Sequence, residues 1–151
     1  MPRRIVVATD FSPGGNLAAE QAFALCAGGD EVVLAHVIDV APPPNPLYAH
    51  YAVAPVPSEE QLGHMKQAAT RALEALVPAG ARSRGVAVGI EACVGQPAAA
   101  LVELAARIGA DLVVIGDSGR SALSRALLGS VAARLVHEAP CSVLVARPKR
   151  A

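Results

Sequence analysis

The residues with the clearest chemical potential are the glycines of the stretch GDSGRSALSRALLGSV, residues 116–131. Gly116 and Gly119 are separated by two residues, nine residues follow, and Gly129 directly precedes Ser130. Glycine lets backbone N–H groups approach an anion closely because it has no Cβ, and a helix N-terminus adds N–H groups without intrahelical partners. The stretch is therefore a candidate phosphate site.

The spacing of these glycines also has a purely structural interpretation. It is neither the phosphate loop G-x-x-x-x-G-K-[ST] nor the dinucleotide fingerprint G-x-G-x-x-G. Taken alone, it favours a tight turn made by Gly116 and Gly119, with Gly129 relieving crowding where a helix begins. The secondary structure predicted around the stretch is needed to choose between the two interpretations.

Strands and helices are predicted to alternate along the whole chain. Apolar, β-branched runs predict five strands, at residues 3–10, 31–39, 85–94, 111–116 and 141–147. Alternation of this kind implies right-handed crossovers, and so an α/β fold with a mostly parallel sheet and helices on both faces. In such sheets ligands bind beyond the carboxyl ends of the strands, where the strand order reverses.

Residues that begin and end helices support this pattern. Ser12 is a predicted N-cap followed by proline, and the first helix is expected to stop at Gly28–Gly29. Ser58 and Gln61 form a capping box for the second helix. The third helix is predicted to start at Pro97, and the fourth follows the glycine-rich stretch.

Composition limits the classes of function. The 151 residues are expected to form one domain. They include 13 basic and 13 acidic side chains, so the chain has no net positive charge to attract nucleic acid. No apolar run approaches the roughly 20 residues that span a bilayer, and no signal peptide is evident, so no membrane contact and a cytoplasmic location are expected.

Residues 41–57, with six prolines, are predicted to form a surface loop. Three dispersed cysteines are expected to be small buried hydrophobes.

The combined motifs resemble the universal stress protein family. In its ATP-binding members the loop reads glycine, two residues, glycine, nine residues, glycine and then serine or threonine, as Gly116, Gly119, Gly129 and Ser130 do. The likeness covers nearly the whole chain outside the proline-rich segment. It implies a Rossmann-like, five-stranded parallel sheet of order 3-2-1-4-5 between two helical layers.

The resemblance also implies a site for an adenine nucleotide, which is ATP, AMP or ADP, with or without Mg²⁺. The adenosine end would be bordered by residues that follow the first two strands: Ala8, Thr9, Asp10 and Val37. The sugar and phosphates would be held by the end of the fourth strand and the glycine loop: Ile115, Gly116, Gly119, Gly129, Ser130 and Val131.

Three side chains near this site leave alternatives open. Many family members have histidine or arginine between the first two glycines, where this chain has Asp117 and Ser118. An aspartate beside phosphates is unfavourable unless it points outward or helps to hold a cation. The outward orientation is favoured. Asp10 is also a candidate cap for the first helix. His36 is expected to be a packed core residue rather than a base.

The resemblance implies a stress-response regulator whose partner binding depends on the bound nucleotide. The alternatives are a slow ATPase or self-phosphorylating enzyme, and a nucleotide-free structural or chaperone-like dimer. Binding is better supported than turnover, which needs a positioned base and a metal clamp. A homodimer is expected through the predicted edge strand 141–147, because fifth strands pair in the family and exposed edges invite pairing.

Overall fold

A computed structural model describes residues 1–40, 56–117 and 128–149. Gly119 and the proline-rich residues 41–55 therefore lie outside the described residues. In chain order the elements are β1 Arg4–Ala8, α1 Pro13–Leu25, β2 Glu31–Ile38, α2 Glu59–Ala75, β3 Ala87–Val94, α3 Pro97–Ile108, β4 Leu112–Gly116, α4 Ser130–Glu138 and β5 Ser142–Ala146.

The five strands form one parallel sheet of order β3-β2-β1-β4-β5. β1 lies at the centre, where Val6 pairs in register with Val33 of β2 and with Val113 of β4. The chain passes from β1 to β2 on one side and reaches β4 on the other, so the strand order reverses between β1 and β4. The predicted fold class and strand order are confirmed.

Successive residues of β1 point to opposite faces of the sheet and build two cores. Ile5 and Val7 pack in a cluster with Phe23 of α1 and Leu73 of α2. Val6 and Ala8 belong to a second cluster, which contains side chains of α3 and α4. The sheet is therefore covered by α1 and α2 on one face and by α3 and α4 on the other, as its continuous β-branched runs predict.

The helices differ in how their first N–H groups are satisfied. The Ser12 hydroxyl accepts from the Gly15 N–H in α1, Ser58 and Gln61 make the predicted capping box in α2, and the Gln96 side chain caps α3. α4 follows Gly129 and has no side-chain cap. Of the four helices described, α4 alone keeps its first N–H groups free of a capping side chain.

The predicted end of the first helix at Gly28–Gly29 is wrong. α1 ends at Leu25, and Cys26 is already extended. The Arg3 guanidinium donates to the Leu25 carbonyl at 2.8 Å and to the Asp30 carboxylate at 2.7 Å. The Arg3 guanidinium therefore satisfies the carbonyl of the last residue of α1, and the helix ends before the glycines.

The cysteines are half-buried, so the expectation of full burial is wrong. Cys93 lies on the edge strand β3 and Cys141 precedes the edge strand β5, while Cys26 follows α1. At these positions the sheet and helices cover each side chain only partly. Burial nevertheless raises the pKa of all three thiols, which keeps them protonated and weakly nucleophilic at neutral pH.

Candidate functional site

A cavity of about 850 Å³ opens at the carboxyl edge of the sheet. Its floor is formed by the ends of β1, β2 and β4, and its walls by the starts of α1 and α4 together with parts of α2 and α3. The cavity therefore includes the point between β1 and β4 where the strand order reverses. Ligand sites of open parallel sheets lie at such points.

The structure brings the predicted site residues together around this cavity. Nine of them line it: Ala8, Thr9, Asp10, Val37, Ile115, Gly116, Gly129, Ser130 and Val131. The tenth, Gly119, lies outside the described residues. These nine positions come from three strand ends and from the first turn of α4, which are distant in sequence.

The first turn of α4 gives the cavity its anion-binding character. Ser130, Val131 and Ala132 line the cavity, and the described residues offer no acceptor to their backbone N–H groups. The Gly129 N–H is already used, since it donates to the Asp117 carbonyl at 2.6 Å. Three N–H groups and the positive end of the helix dipole therefore converge where a phosphate could bind.

Gly116 acts through close packing. A Cβ at this position would stand 2.7 Å from both the carbonyl carbon and the carbonyl oxygen of Gly14. The missing side chain therefore allows the start of α1 to lie directly against the end of β4. Gly116 therefore has a structural role in packing, which differs from the predicted tight turn with Gly119.

Asp10 supports the cap of α1 by bonding to Ser12, the N-cap residue, and it also lines the cavity. Its Oδ1 accepts from the Ser12 N–H at 3.0 Å and from the Ser12 hydroxyl. The Ser12 Oγ in turn accepts from the Gly15 N–H at 3.2 Å. The capping interpretation is correct, and the position of Asp10 over the end of β1 is also the one that the family resemblance implies for a residue near a ribose.

His36 lines the cavity, although the sequence analysis assigned it to the core. It is half-buried near the end of β2, and its Nδ1 lies 2.8 Å from the Thr9 carbonyl oxygen. Phe11 has a left-handed backbone with φ of 63°, and its ring centroid lies 4.7 Å from that of His36. The core expectation for His36 is wrong because the strand end leaves one side of the ring uncovered.

The carboxylates near the cavity do not form a metal cage. Asp10 and Asp39 line the cavity, and within the described ranges no group of three or more His, Cys, Asp or Glu side chains is placed to hold a metal ion. Asp117 does not line the cavity, and its Oδ2 lies 3.8 Å from the Arg147 Nε. This agrees with the outward orientation favoured for Asp117.

The remaining walls are apolar and were not identified from the sequence. The cavity is also lined by Met65, Ala69 and Ala72 of α2 and by Pro97 and Leu101 of α3. The helical spacing of the α2 residues indicated only that this face is covered by protein. Which residues of the apolar face of α2 border the cavity depends on the position of the helix relative to the sheet. One sequence does not contain that information.

A doubly wound parallel sheet with a helix N-terminus at its switch point defines a Rossmann-like α/β protein, here with a cavity at the strand ends. Residues 1–147 match the sequence model of the universal stress protein family. The chain belongs to this family. Universal stress protein MJ0531 of Methanocaldococcus jannaschii is 35% identical to it over 152 residues, covering 98% of this chain and 84% of the relative.

Solved structures agree with this assignment. Hypothetical protein MJ0577 superposes with a TM-score of 0.73 and 26% identity, over 100% of this chain and 99% of that one. A universal stress protein crystallised in complex with cAMP superposes with a TM-score of 0.65 and 26% identity, over 97% and 98% of the two chains. None of the helices in the described ranges is long and apolar enough to cross a membrane.

Proposed function

We propose that this protein binds an adenine nucleotide, foremost ATP, in the cavity, and that the bound nucleotide controls its association with a protein partner during a stress response. The observation that carries the proposal is the uncapped first turn of α4, whose residues line the cavity and whose N–H groups have no acceptor among the described residues. The cAMP complex of a family member that is 26% identical to this chain gives further support.

The strand order suggests how the nucleotide lies. β4, β1 and β2 are consecutive neighbours in the sheet, and adjacent strands are about 4.8 Å apart. Phosphates at the start of α4, beside β4, would leave the ribose over the end of β1 near Asp10. The base would then lie over the end of β2 near Val37, about 10 Å from the phosphates. A nucleotide in an extended conformation spans that distance.

Mg²⁺ would be held mainly by the phosphates and water. Mg²⁺ commonly binds through one or two carboxylates, substrate phosphates and several waters. Among the described residues, Asp10 and Asp39 are the carboxylates that line the cavity, and Asp10 already accepts two hydrogen bonds from Ser12. We therefore propose that the protein binds the nucleotide without hydrolysing it efficiently.

We further propose a homodimer through β5. This strand, Ser142–Ala146, lies at one edge of the sheet, and Val143 to Val145 are only half-buried. An exposed apolar edge readily pairs with another strand. Light scattering at micromolar concentration tests the dimer, and a monomeric mass would contradict it.

Substitution of Ser130 tests nucleotide binding most sharply. Aspartate at the first position of a helix is favoured by the helix dipole, so Ser130→Asp should fold, yet its charge would repel a phosphate. We expect calorimetric titration to show at least about a tenfold loss of ATP affinity for Ser130→Asp. The loss should be smaller for Ser130→Ala, which removes one hydroxyl donor and adds no charge.

Adenosine is the matched ligand control, because it has no phosphate. Its affinity should be the same for the wild type and for Ser130→Asp. Equal ATP affinity in the wild type and Ser130→Asp would contradict a phosphate site at α4, and a failure of the wild type to bind ATP would contradict the proposed function as a whole.

The regulatory part of the proposal predicts a change in dynamics. ATP should slow hydrogen exchange at the amides of the first turn of α4 in the wild type, because those N–H groups acquire an acceptor. In Ser130→Asp the same amides should show no ATP-dependent protection. If ATP protected these amides equally in both proteins, the nucleotide would not act through the first turn of α4. The proposed link from that turn to partner association would then be contradicted.

A further inference from the structure

We infer that His36 is a specificity-determining residue of the nucleotide site, because its Nε2 is positioned to accept a hydrogen bond from the exocyclic amino group of the base. The inference rests on the proposed nucleotide binding and deepens it. It identifies the chemical feature of adenine, an amino group at the 6-position of the purine, that this chain would recognise through a side chain.

The bond between His36 and Thr9 fixes the tautomer of the imidazole. The Thr9 carbonyl oxygen can only accept, so the Nδ1 that lies 2.8 Å from it carries the hydrogen. In the neutral ring Nε2 is then an acceptor with a free lone pair. No described residue bonds to Nε2, and the His36 side chain lines the cavity.

The orientation of the ring is held by its neighbours before any ligand binds. The Phe11 ring packs against His36 with centroids 4.7 Å apart and an interplanar angle of 39°. Phe11 is held in its left-handed conformation by the bond from its N–H to the Thr9 Oγ1, at 3.0 Å. An acceptor fixed in this way loses little entropy when a ligand binds, which favours selectivity.

His36 lies at the base end of the site. It precedes Val37 on β2, two strands away from β4, where α4 would hold the phosphates. A purine over the end of β2 would therefore lie beside the strand end that carries His36, whose side chain points to the opposite face of the sheet from that of Val37. Adenine presents a 6-amino donor and hypoxanthine a 6-oxo acceptor, so the Nε2 lone pair would attract the first base and repel the second.

Two substitutions separate this role from a structural one. In His36→Asn the side-chain amide can replace Nδ1 as the donor to Thr9, but no acceptor remains in the position of Nε2. In His36→Gln the longer side chain can place an oxygen near that position. His137→Asn, an exposed position on α4 that does not line the cavity, is the control for the chemical change.

The measurement is the ratio of the dissociation constants of ITP and ATP for each protein, together with the midpoint of thermal unfolding. We expect the wild type and His137→Asn to prefer ATP by about tenfold, the scale of one well-placed hydrogen bond. His36→Asn should unfold near the wild-type temperature with a ratio close to one. His36→Gln should keep part of the preference.

Several results would overturn the inference. A wild-type ratio near one would do so without any variant, and so would an unchanged ratio in His36→Asn. Either of these, with ATP still bound, would leave the proposed function intact. If the wild type bound neither ATP nor ITP, the proposed function and the role of His36 would fall together.

Discussion

The side of the sheet where the strands begin, the amino edge, and the side where they finish, the carboxyl edge, differ in how their polar groups are paired. At the amino edge, the buried Asp30 carboxylate accepts from the backbone and the guanidinium of Arg3, at 2.9 and 2.7 Å. The Arg4 N–H donates to the Asp111 carboxylate at 2.8 Å. At the carboxyl edge, the first turn of α4 keeps N–H groups without acceptors among the described residues.

This difference separates stability from binding. Paired polar groups at the amino edge join the start of β1 to the turn after α1 and to the start of β4, so they stabilise the fold. Unpaired donors at the carboxyl edge contribute nothing to the folded state until a ligand supplies an acceptor. Substitutions at the two edges should therefore have separable effects on unfolding and on nucleotide affinity.

The largest expected effect on stability is that of Asp30→Ala. This change removes the acceptor of Arg3 and of the Ala27 N–H, which lies 3.0 Å from the carboxylate. We expect a loss of about 3 kcal/mol in the free energy of unfolding, measured with urea, because buried charge-assisted bonds are lost together. ATP affinity should not change. A tenfold or greater loss of ATP affinity in the folded variant would break the proposed separation between the edges.

Gly116→Ala should affect both properties, because it lies at the carboxyl edge but acts through packing. The added Cβ would meet the Gly14 carbonyl at 2.7 Å, which forces α1 or β4 to move. We expect a loss of about 2 kcal/mol in the free energy of unfolding together with weaker ATP binding.

Gly63→Ala on α2 is the matched control for Gly116→Ala. A Cβ there meets nothing within 4 Å. Since alanine is the better helix former, that variant should gain about 0.5 to 1 kcal/mol. Wild-type stability and affinity in Gly116→Ala would show that the close approach of α1 and β4 is not needed.

Acid should weaken the amino edge. The side-chain bond from Arg3, followed by the backbone N–H groups of Ala27 and Arg3, holds the pKa of the Asp30 carboxyl well below its usual range. Asp30 therefore adds stability above its unfolded-state pKa of about 3.9, and this contribution is lost as the pH falls further. The slope is at most about 1.4 kcal/mol per pH unit.

Urea unfolding of the wild type and Asp30→Asn between neutral and acidic pH isolates this contribution. The difference in stability between the two proteins should shrink as the pH falls. A difference that stays constant with pH would show that Asp30 is not the group responsible.

The sequence predicted the parts of the fold that depend on local pattern. The caps at Ser12 and Ser58 and the first helical residue Pro97 start helices where expected, and the predicted alternation of strands and helices is observed. The strand order was implied by the family resemblance and not by the local pattern. The end of α1 could not be predicted in this way. It is set by Arg3, whose guanidinium reaches a carbonyl 22 residues away in sequence.

The family motif and the resemblance selected nine residues that the structure places around one cavity, including Val37 and Ser130. Cavity residues outside the motif were not predicted. The place of His36 in the cavity wall was missed because its orientation depends on the Thr9 carbonyl and the Phe11 ring, which are tertiary contacts. Its position next to Val37 was the one signal that pointed to it.

Capping α4 tests the central claim most directly. Gly129 has φ −58° and ψ 152°, a conformation that aspartate adopts at an N-cap. Gly129→Asp would place an acceptor on the N–H groups proposed to bind phosphate. We predict that it gains about 0.5 to 1 kcal/mol in the free energy of unfolding without ligand, and that its ATP affinity falls relative to Gly129→Ala. ATP binding as tight as that of the wild type in a stabilised Gly129→Asp would contradict the claim that these N–H groups are kept free for a ligand.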